Sequence, residues 1–446
     1  MATEAAIGAD LVESALEHAK RLGADQAEAF YAESVSDSVD YENNRLAGID
    51  SSSSRGIGIR VLSGGRIGFS STSILDRVED AVEAALQTAR LTEVEKRSFS
   101  LPGDGSMDAD ISDREVEAIS VAELVEMGRK AVDRLQPLAD GLLAGAGVGR
   151  AVATIRIGNS AGLRSSCRRS SWSFFALAQR VQGTSVLWCF DGGASMHRDL
   201  DVDGAIEGAA EKVRLSLKEG RLETRHRPVV FTPAALSALL ASLHSAVGAP
   251  AIYRKTSPLT GRLGEQVLNP LLSIQDDNRP EAGRAGAPFD EEGVPAFAFP
   301  IVEAGVFKNV VADLRFAARL DASPGRARRS GYASAPFPGA GNWAMAPGTA
   351  TLEQLLGEAE GGLLVDSLLG MHGSNLANGD FSANIGLGFA IGAGGEIQFR
   401  VKDAAIAGNF YELLGDRLLG LSAERRWGYS GTELLPWALC ADVAIT

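Results

Sequence analysis

The chain has 446 residues, 45% hydrophobic and 22% charged, the balance of a soluble globular protein of two or three domains that folds without staples. Its formal net charge of −14 sets the surface against phosphate backbones and argues against general nucleic-acid binding. No apolar run approaches the roughly 20 residues that span a bilayer, and residues 1–10 lack the basic and apolar regions of a secretory signal, so a cytoplasmic location without a membrane partner is expected.

The predicted elements begin with a helix over Ala9–Leu22, where Leu11, Val12, Ala15, Leu16, Ala19 and Leu22 recur at helical spacing and Gly23 suits the C-cap. Gln26–Ser34 and Ser38–Asp50 read as strands, and Ser51–Ser54 as a polar break. A turn at Ser63–Gly65 joins two alternating runs into a hairpin. Ile74–Leu91 and Val121–Leu135 read as helices, with a loop over Leu101–Asp113 between them. Strand-like runs follow at Val152–Ile157, Ser171–Ala178 and Ser185–Phe190, then a helix at Val202–Leu217.

Charged residues replace apolar ones over Arg221–Arg227, which places a domain boundary there: residues 1–224 and 225–446. Arg227–Phe231 reads as a short strand. Thr232 then suits an N-cap, Pro233 the first helical position, and Leu236, Leu239, Leu240, Leu243 and Val247 form one stripe. A helix over Pro233–Val247 follows, stopped by Gly248 and Pro250. Beyond it come short strands between Gly-rich turns: Leu271–Ile274, Ala296–Val302, Gly388–Ile391, Glu396–Val401 and Ala438–Ile445. The fold class is α+β: an N-terminal domain with an antiparallel sheet and helices, and a C-terminal domain with a strongly curved antiparallel sheet or barrel plus a helix.

Three cysteines (Cys167, Cys189, Cys440) lie far apart without a CxxC, and no two of the five histidines stand at helical metal-ligand spacing. The basic clusters Arg164–Arg169 and Arg326, Arg328 and Arg329 read as solvated loops or rims, and Asp290-Glu291-Glu292 as a solvated acidic turn. His244, near the end of the Pro233–Val247 helix, taken alone is a structural histidine or an isolated metal ligand. A zinc peptidase places His-Glu on a helix with a second His further on, the imidazoles holding the metal and the carboxylate activating water. Here Ser245 follows His244, and Ala249 stands five residues on. Ser245 is also poorly placed to use His244 as a base, since adjacent helical residues point about 100° apart.

The residues around this helix occur in a telling order: Ser54–Val61, Gly68–Thr72, Ala251–Ser257, Pro288–Val294, Glu303–Val306, Gly361–Val365, Asn378–Ser382 and Val401–Asn409. In that order they resemble the TldD/PmbA family, over nearly the whole chain. The resemblance implies a TldD branch with HExxxH on the counterpart of the Pro233–Val247 helix and a Cys near the C-terminus as a further zinc ligand. This chain keeps His244, but Ser245, Ala249 and Ser430 stand where that branch has Glu, His and Cys; Cys440, ten residues on, is assigned to the core. It therefore resembles the TldE (PmbA) branch. That implies a non-catalytic subunit of a zinc metallopeptidase, with no metal of its own and with zinc in a TldD-like partner. The heteromer would trim unfolded peptides or remove leader peptides from modified peptide precursors. The alternative is a homodimeric peptide-binding protein without protease activity. Tyr253, Arg254, His372, Asn375 and Asp380 are the candidate substrate- or partner-facing residues, and 326–343 reads as a mobile, partner- or substrate-specific loop.

Overall fold

In the computed structural model, residues 4–95, 101, 103, 105–371 and 378–446 are described. Two sheets carry the chain. The first has seven strands, in the order Arg66–Thr72, Arg45–Ser63, Gln26–Glu42, Leu143–Asn159, Arg164–Gln182, with Asp108–Asp110 and Ser185–Ser195 both pairing the last of these. All its ladders are antiparallel except that of Asp108–Asp110. The predicted break at Ser51–Ser54 is instead continuous strand: these serines pair with Asp37, Ser36, Val35 and Ser34. They are exposed, so an outward-facing polar run carries no turn. The real turn is at Asn43–Asn44, both at positive φ, which asparagine tolerates better than most residues.

Alternation along Gln26–Glu42 divides the packing. Ala27, Ala29 and Tyr31 meet Ile57, Ile59 and Val61 under the helices Glu4–Arg21 and Val78–Leu91. Phe30, from the opposite face, joins Ile155, Ile157 and Phe289 from the other half of the chain. Further along the sheet, helices Val121–Leu135 and Val202–Leu215 cover Val39, Ala144, Val148, Trp172 and Phe174. Leu387 and Phe389 of the second sheet enter the same cluster.

The second sheet has twelve strands. Five of them, Arg225–Phe231, Leu363–Leu369, Asp380–Ile391, Ala405–Asn409 and Glu433–Ile445, pair in a ring closed by Ile406↔Ile445 and Ala407↔Ala444. This closed barrel abolishes the edges an open sheet would leave. Asn342–Met345 runs parallel to Glu433–Ile445 outside the ring and continues through Ile274–Asp277 to Ala298–Glu303. Glu219–Gly220 pairs with Ile397–Val401.

The Pro233–Val247 helix has the predicted bounds. The Thr232 side chain accepts from the Ala235 N–H, and Pro233 supplies the first turn. Leu236, Leu239, Leu240 and Leu243 are fully buried with Val229, Phe231, Leu363, Val365, Leu435 and Ala438, each contributing about 1.5–3 kcal/mol. Gly248 is extended (φ −65°, ψ 128°), and a short helix, Ala249–Arg254, starts in a new direction. No helix among the described residues is long and apolar enough to cross a membrane.

Candidate functional site

His244 projects from the last turn of its helix onto Trp343, ring against ring, with centroids 3.6 Å apart and planes 14° from parallel. Its Nε2 lies 2.8 Å from Glu433 Oε1, and the other oxygen of Glu433 accepts from the Ser237 hydroxyl. Ser237 is two turns before His244 on the same helix, so both side chains reach one carboxylate. Glu433 stands opposite Trp343, and Trp343 opposite Asp276, across neighbouring strands. Facing residues share a sheet face, so the three form one row. The indole N–H donates to Asp276 Oδ2 at 2.9 Å, and Arg326 Nε to Asp276 Oδ1 at 2.7 Å. Trp343, Arg326 and Asp276 are all buried. None of Ser237, Asp276, Trp343 and Glu433 carries a motif; only strand register brings them to His244.

The other motif positions disperse. Ser245 is exposed and makes no hydrogen bond to His244. Ala249 is fully buried against Ala312 and Ala317, in a cluster separate from His244. The Ser430 hydroxyl is 2.6 Å from Thr432 Oγ1, at a turn where Gly431 has φ +69° and a Cβ would lie 2.1 Å from the Ala194 carbonyl oxygen. Through Glu433, three residues on, the Ser430 turn comes close to His244. Among the described residues no three His, Cys, Asp or Glu side chains gather as a group that could hold a metal ion. One imidazole already bonded to a carboxylate does not fit a zinc site, which takes three or four protein ligands. The cysteines supply none: Cys440 is fully buried, and burial pushes its thiol far up, that of Cys167 to about 11 and that of Cys189 to about 12. Such thiols stay protonated at neutral pH and are inert.

Of the remaining candidates, Tyr253 packs edge-on to Phe316 (5.9 Å), and the Arg319 guanidinium lies 4.9 Å over its ring. Arg254 is exposed and bonds the Pro250 carbonyl at 3.2 Å. Asp380 accepts from Asn378 Nδ2 and Asn409 Nδ2, both at 2.8 Å, and so ties the start of its strand. His372 and Asn375 lie outside the described residues.

Three sequence expectations need correction. Asp290, Glu291 and Glu292 are buried rather than solvated. Asp290 accepts from the backbone N–H groups of Glu292, Val294 and Ala327; Glu292 takes Arg60 Nη1 at 2.5 Å and the Leu314 N–H at 2.7 Å. Arg326 and Arg329 are likewise interior: Arg326 pairs with Asp276, and Arg329 with Glu28 of the first sheet. The 326–343 segment is not a free loop. Its arginines and Trp343 are packed because buried carboxylates on both halves require them.

A cleft of about 530 Å³ opens between the two sheets. Gly192–Ser195 and His197 line one side; Arg284, Arg426, Trp427 and Gly431 line the other. Strand Ser185–Ser195 pairs only with Arg164–Gln182 among the described residues; on its other edge side chains take the place of a strand, with the Val186 carbonyl accepting from Arg400, the Phe190 carbonyl from Lys212 and Tyr429, and the Gly192 N–H donating to Asp191 Oδ1. Gly428 and Gly431, on either side of Ser430, are part of the wall.

A curved sheet is joined to a closed barrel whose core packs the histidine-bearing helix, and proteins matched to this chain over that architecture are of a metallopeptidase-like family. Residues 224–446 match the model for the PmbA/TldA metallopeptidase C-terminal domain, and residues 27–89 that for PmbA/TldA metallopeptidase domain 1. The chain is 29% identical to the metalloprotease PmbA homolog of Haemophilus influenzae over 421 residues, 91% of this chain and 89% of the relative. It is 28% identical to the metalloprotease PmbA of Escherichia coli O157:H7 over 419 residues, with the same coverage. It shares the fold of TldE from Thermococcus kodakarensis with a TM-score of 0.87 at 24% identity, over 98% of this chain and 100% of that one. The chain belongs to the TldD/PmbA family.

Proposed function

We propose that this chain is the TldE-type, zinc-free subunit of a cytoplasmic two-subunit metallopeptidase, divided near residues 224/225 into an N-terminal α+β domain and a C-terminal barrel domain. Catalysis and zinc reside in a TldD-like partner; the substrates are unfolded peptides or leader peptides. The observation that carries this reading is the occupation of His244 Nε2 by Glu433, with Ser245, Ala249 and Ser430 at the other motif positions. A zinc peptidase needs ligands and a base for its water, and this helix supplies neither. The cleft of about 530 Å³ between the two sheets, lined by Gly192–Ser195 and by Arg284 and Arg426, supports a peptide-handling role, because an extended peptide can be held there through its main chain with little demand on sequence.

The test is to purify the chain alone and mixed with a TldD-like subunit from the same source, and to measure zinc content, mass and cleavage of an unfolded peptide. The expected outcome is less than stoichiometric zinc and no cleavage for the lone chain, and a zinc-containing, active heteromer for the mixture. Stoichiometric zinc with cleavage by the lone chain would sink the proposal. A stable homodimer that binds peptide but gains no activity with the partner would replace it with a peptide-holding role.

A further inference from the structure

A second cavity, of about 310 Å³, lies between the first sheet and the barrel half. Arg169, Arg284, Arg328 and Arg329 line it, with Glu291 and Thr432. In a chain of net charge −14, four guanidinium groups around one cavity demand compensation, and they receive little. Arg329 is paired with Glu28. Glu291 is the one carboxylate among the lining residues, and its Oε1 stands 4.0 Å from Arg169 Nη2. Arg328 donates only to the carbonyls of Ala285 (2.9 Å) and Ala340 (3.2 Å), and Arg284 only to that of Ser430 (3.3 Å). Among the described residues neither reaches a carboxylate within ion-pair distance. Burial first, and then the charge of Arg169, disfavours the charged form of Arg284; burial likewise disfavours that of Arg328, with Glu291 opposing and Arg169 adding to it. Of the four, only Arg329 is buried, and it is paired; Arg169 and Arg328 are half-buried and Arg284 is exposed at the mouth, so the like charges converge on a cavity that a counter-charge from solvent can reach and would relieve.

We propose that this cavity is an anion subsite that takes a carboxylate of the bound peptide, at its C-terminus or on an acidic side chain. The inference rests on the peptide-handling reading above. Arg284 lines both this cavity and the larger cleft, so a chain laid along the cleft passes its guanidinium. An arginine fork matches the two oxygens of a carboxylate. Glu291 distinguishes a peptide from inorganic phosphate. Its Oε2 is buried with no hydrogen-bond partner; it repels any anion, a phosphate dianion more than a monoanionic carboxylate, and only the peptide also brings an amide N–H that can donate to it.

The experiment is fluorescence anisotropy of a labelled unstructured peptide rich in Asp and Glu, on the full chain alone and in complex with its partner. Three variants of the probe are used: the peptide amidated at its C-terminus, the peptide with Asn and Gln for its acidic residues, and the peptide with both changes. Arg169→Gln and Arg284→Gln, both at least partly solvent-exposed, are made singly and together; Arg284→Lys keeps the charge without the fork, and circular dichroism checks folding. The doubly neutral peptide is expected to bind about tenfold more weakly than the parent, and the double arginine variant to erase that difference while still binding the neutral peptide. The singly changed peptides identify which carboxylate is held. Equal binding of parent and neutral peptides, or an undiminished preference in a folded double variant, overturns the subsite and leaves the peptide role intact. Inorganic phosphate that binds at this site while carboxylate peptides do not overturns it in favour of a free anion. No binding of any peptide by chain or complex removes the peptide-handling reading, and the subsite with it.

Discussion

His244 is held on three counts: its ring stacks on a buried indole, its Nε2 faces Glu433, and Glu433 is anchored from below by Ser237. A stacked aromatic pair contributes about 0.5–1.5 kcal/mol and a hydrogen bond to a charged group about 1.5–3 kcal/mol. His244→Ala should therefore lower unfolding stability by about 2–4 kcal/mol, read as a fall in the urea midpoint. If the residue is structural, the peptidase rate of the mixed subunits should stay at the wild-type level under conditions where the variant is folded. A large loss of rate without a loss of stability would return His244 to the chemistry. The sequence located His244 and the hydroxyl and methyl groups beside it. It could not show Glu433 or Trp343, because these lie about 189 and 99 positions away and reach His244 only through strand pairing across the sheet.

At the scale of elements, local signals were legible where local physics decides. The Pro233–Val247 helix carries its cap, its proline and its stripe within sixteen residues. Polarity misleads in two ways: at Ser51–Ser54 the residues are exposed as expected but extend a paired strand rather than breaking it, and at Asp290–Glu292 partners distant in sequence bury carboxylates that read as solvated. Asp313 belongs to the same buried acidic group. It caps the helix Leu314–Leu320 by accepting from the Phe316 N–H, and burial, followed by the charge of Glu292, pushes its carboxyl up to about 6. The folded chain thus binds this proton more tightly than the unfolded chain does. The stabilisation is complete below the unfolded value of about 4 and is lost as pH rises through about 6. Asp313→Asn keeps a good N-cap and removes the charge. Urea midpoints measured from pH 4 to 7 should vary less in the variant, and its stability at pH 7 should rise by about 1–2 kcal/mol. An unchanged pH profile would show that Asp313 is ionised throughout this range.

At the scale of the whole molecule, charge and apolar packing interlock the two sheets. Lys212, from the helix beside the first sheet, lies 3.3 Å from Asp191 and 3.0 Å from Asp366 of the barrel, and Asp191 also pairs with Arg426. Glu28 binds Arg60 of its own sheet and Arg329 of the other half. Leu387 and Phe389 complete the apolar seam. A structural metal is folding free energy, and chelation unfolds the proteins that depend on one. Here the motif positions hold a hydrogen-bonded imidazole, an exposed hydroxyl, a buried methyl and a second hydroxyl, so nothing in the fold should respond to chelation. The melting temperature of the lone chain should be the same with and without excess zinc or a strong chelator, since a ligand stabilises only the state it binds. The mixture with a TldD-like partner should instead lose its peptidase activity to the chelator and recover it on adding zinc, with this chain's own melting transition unmoved. A chelator-induced fall in the melting temperature of the lone chain would reveal a metal site built from side chains that these motif positions do not supply.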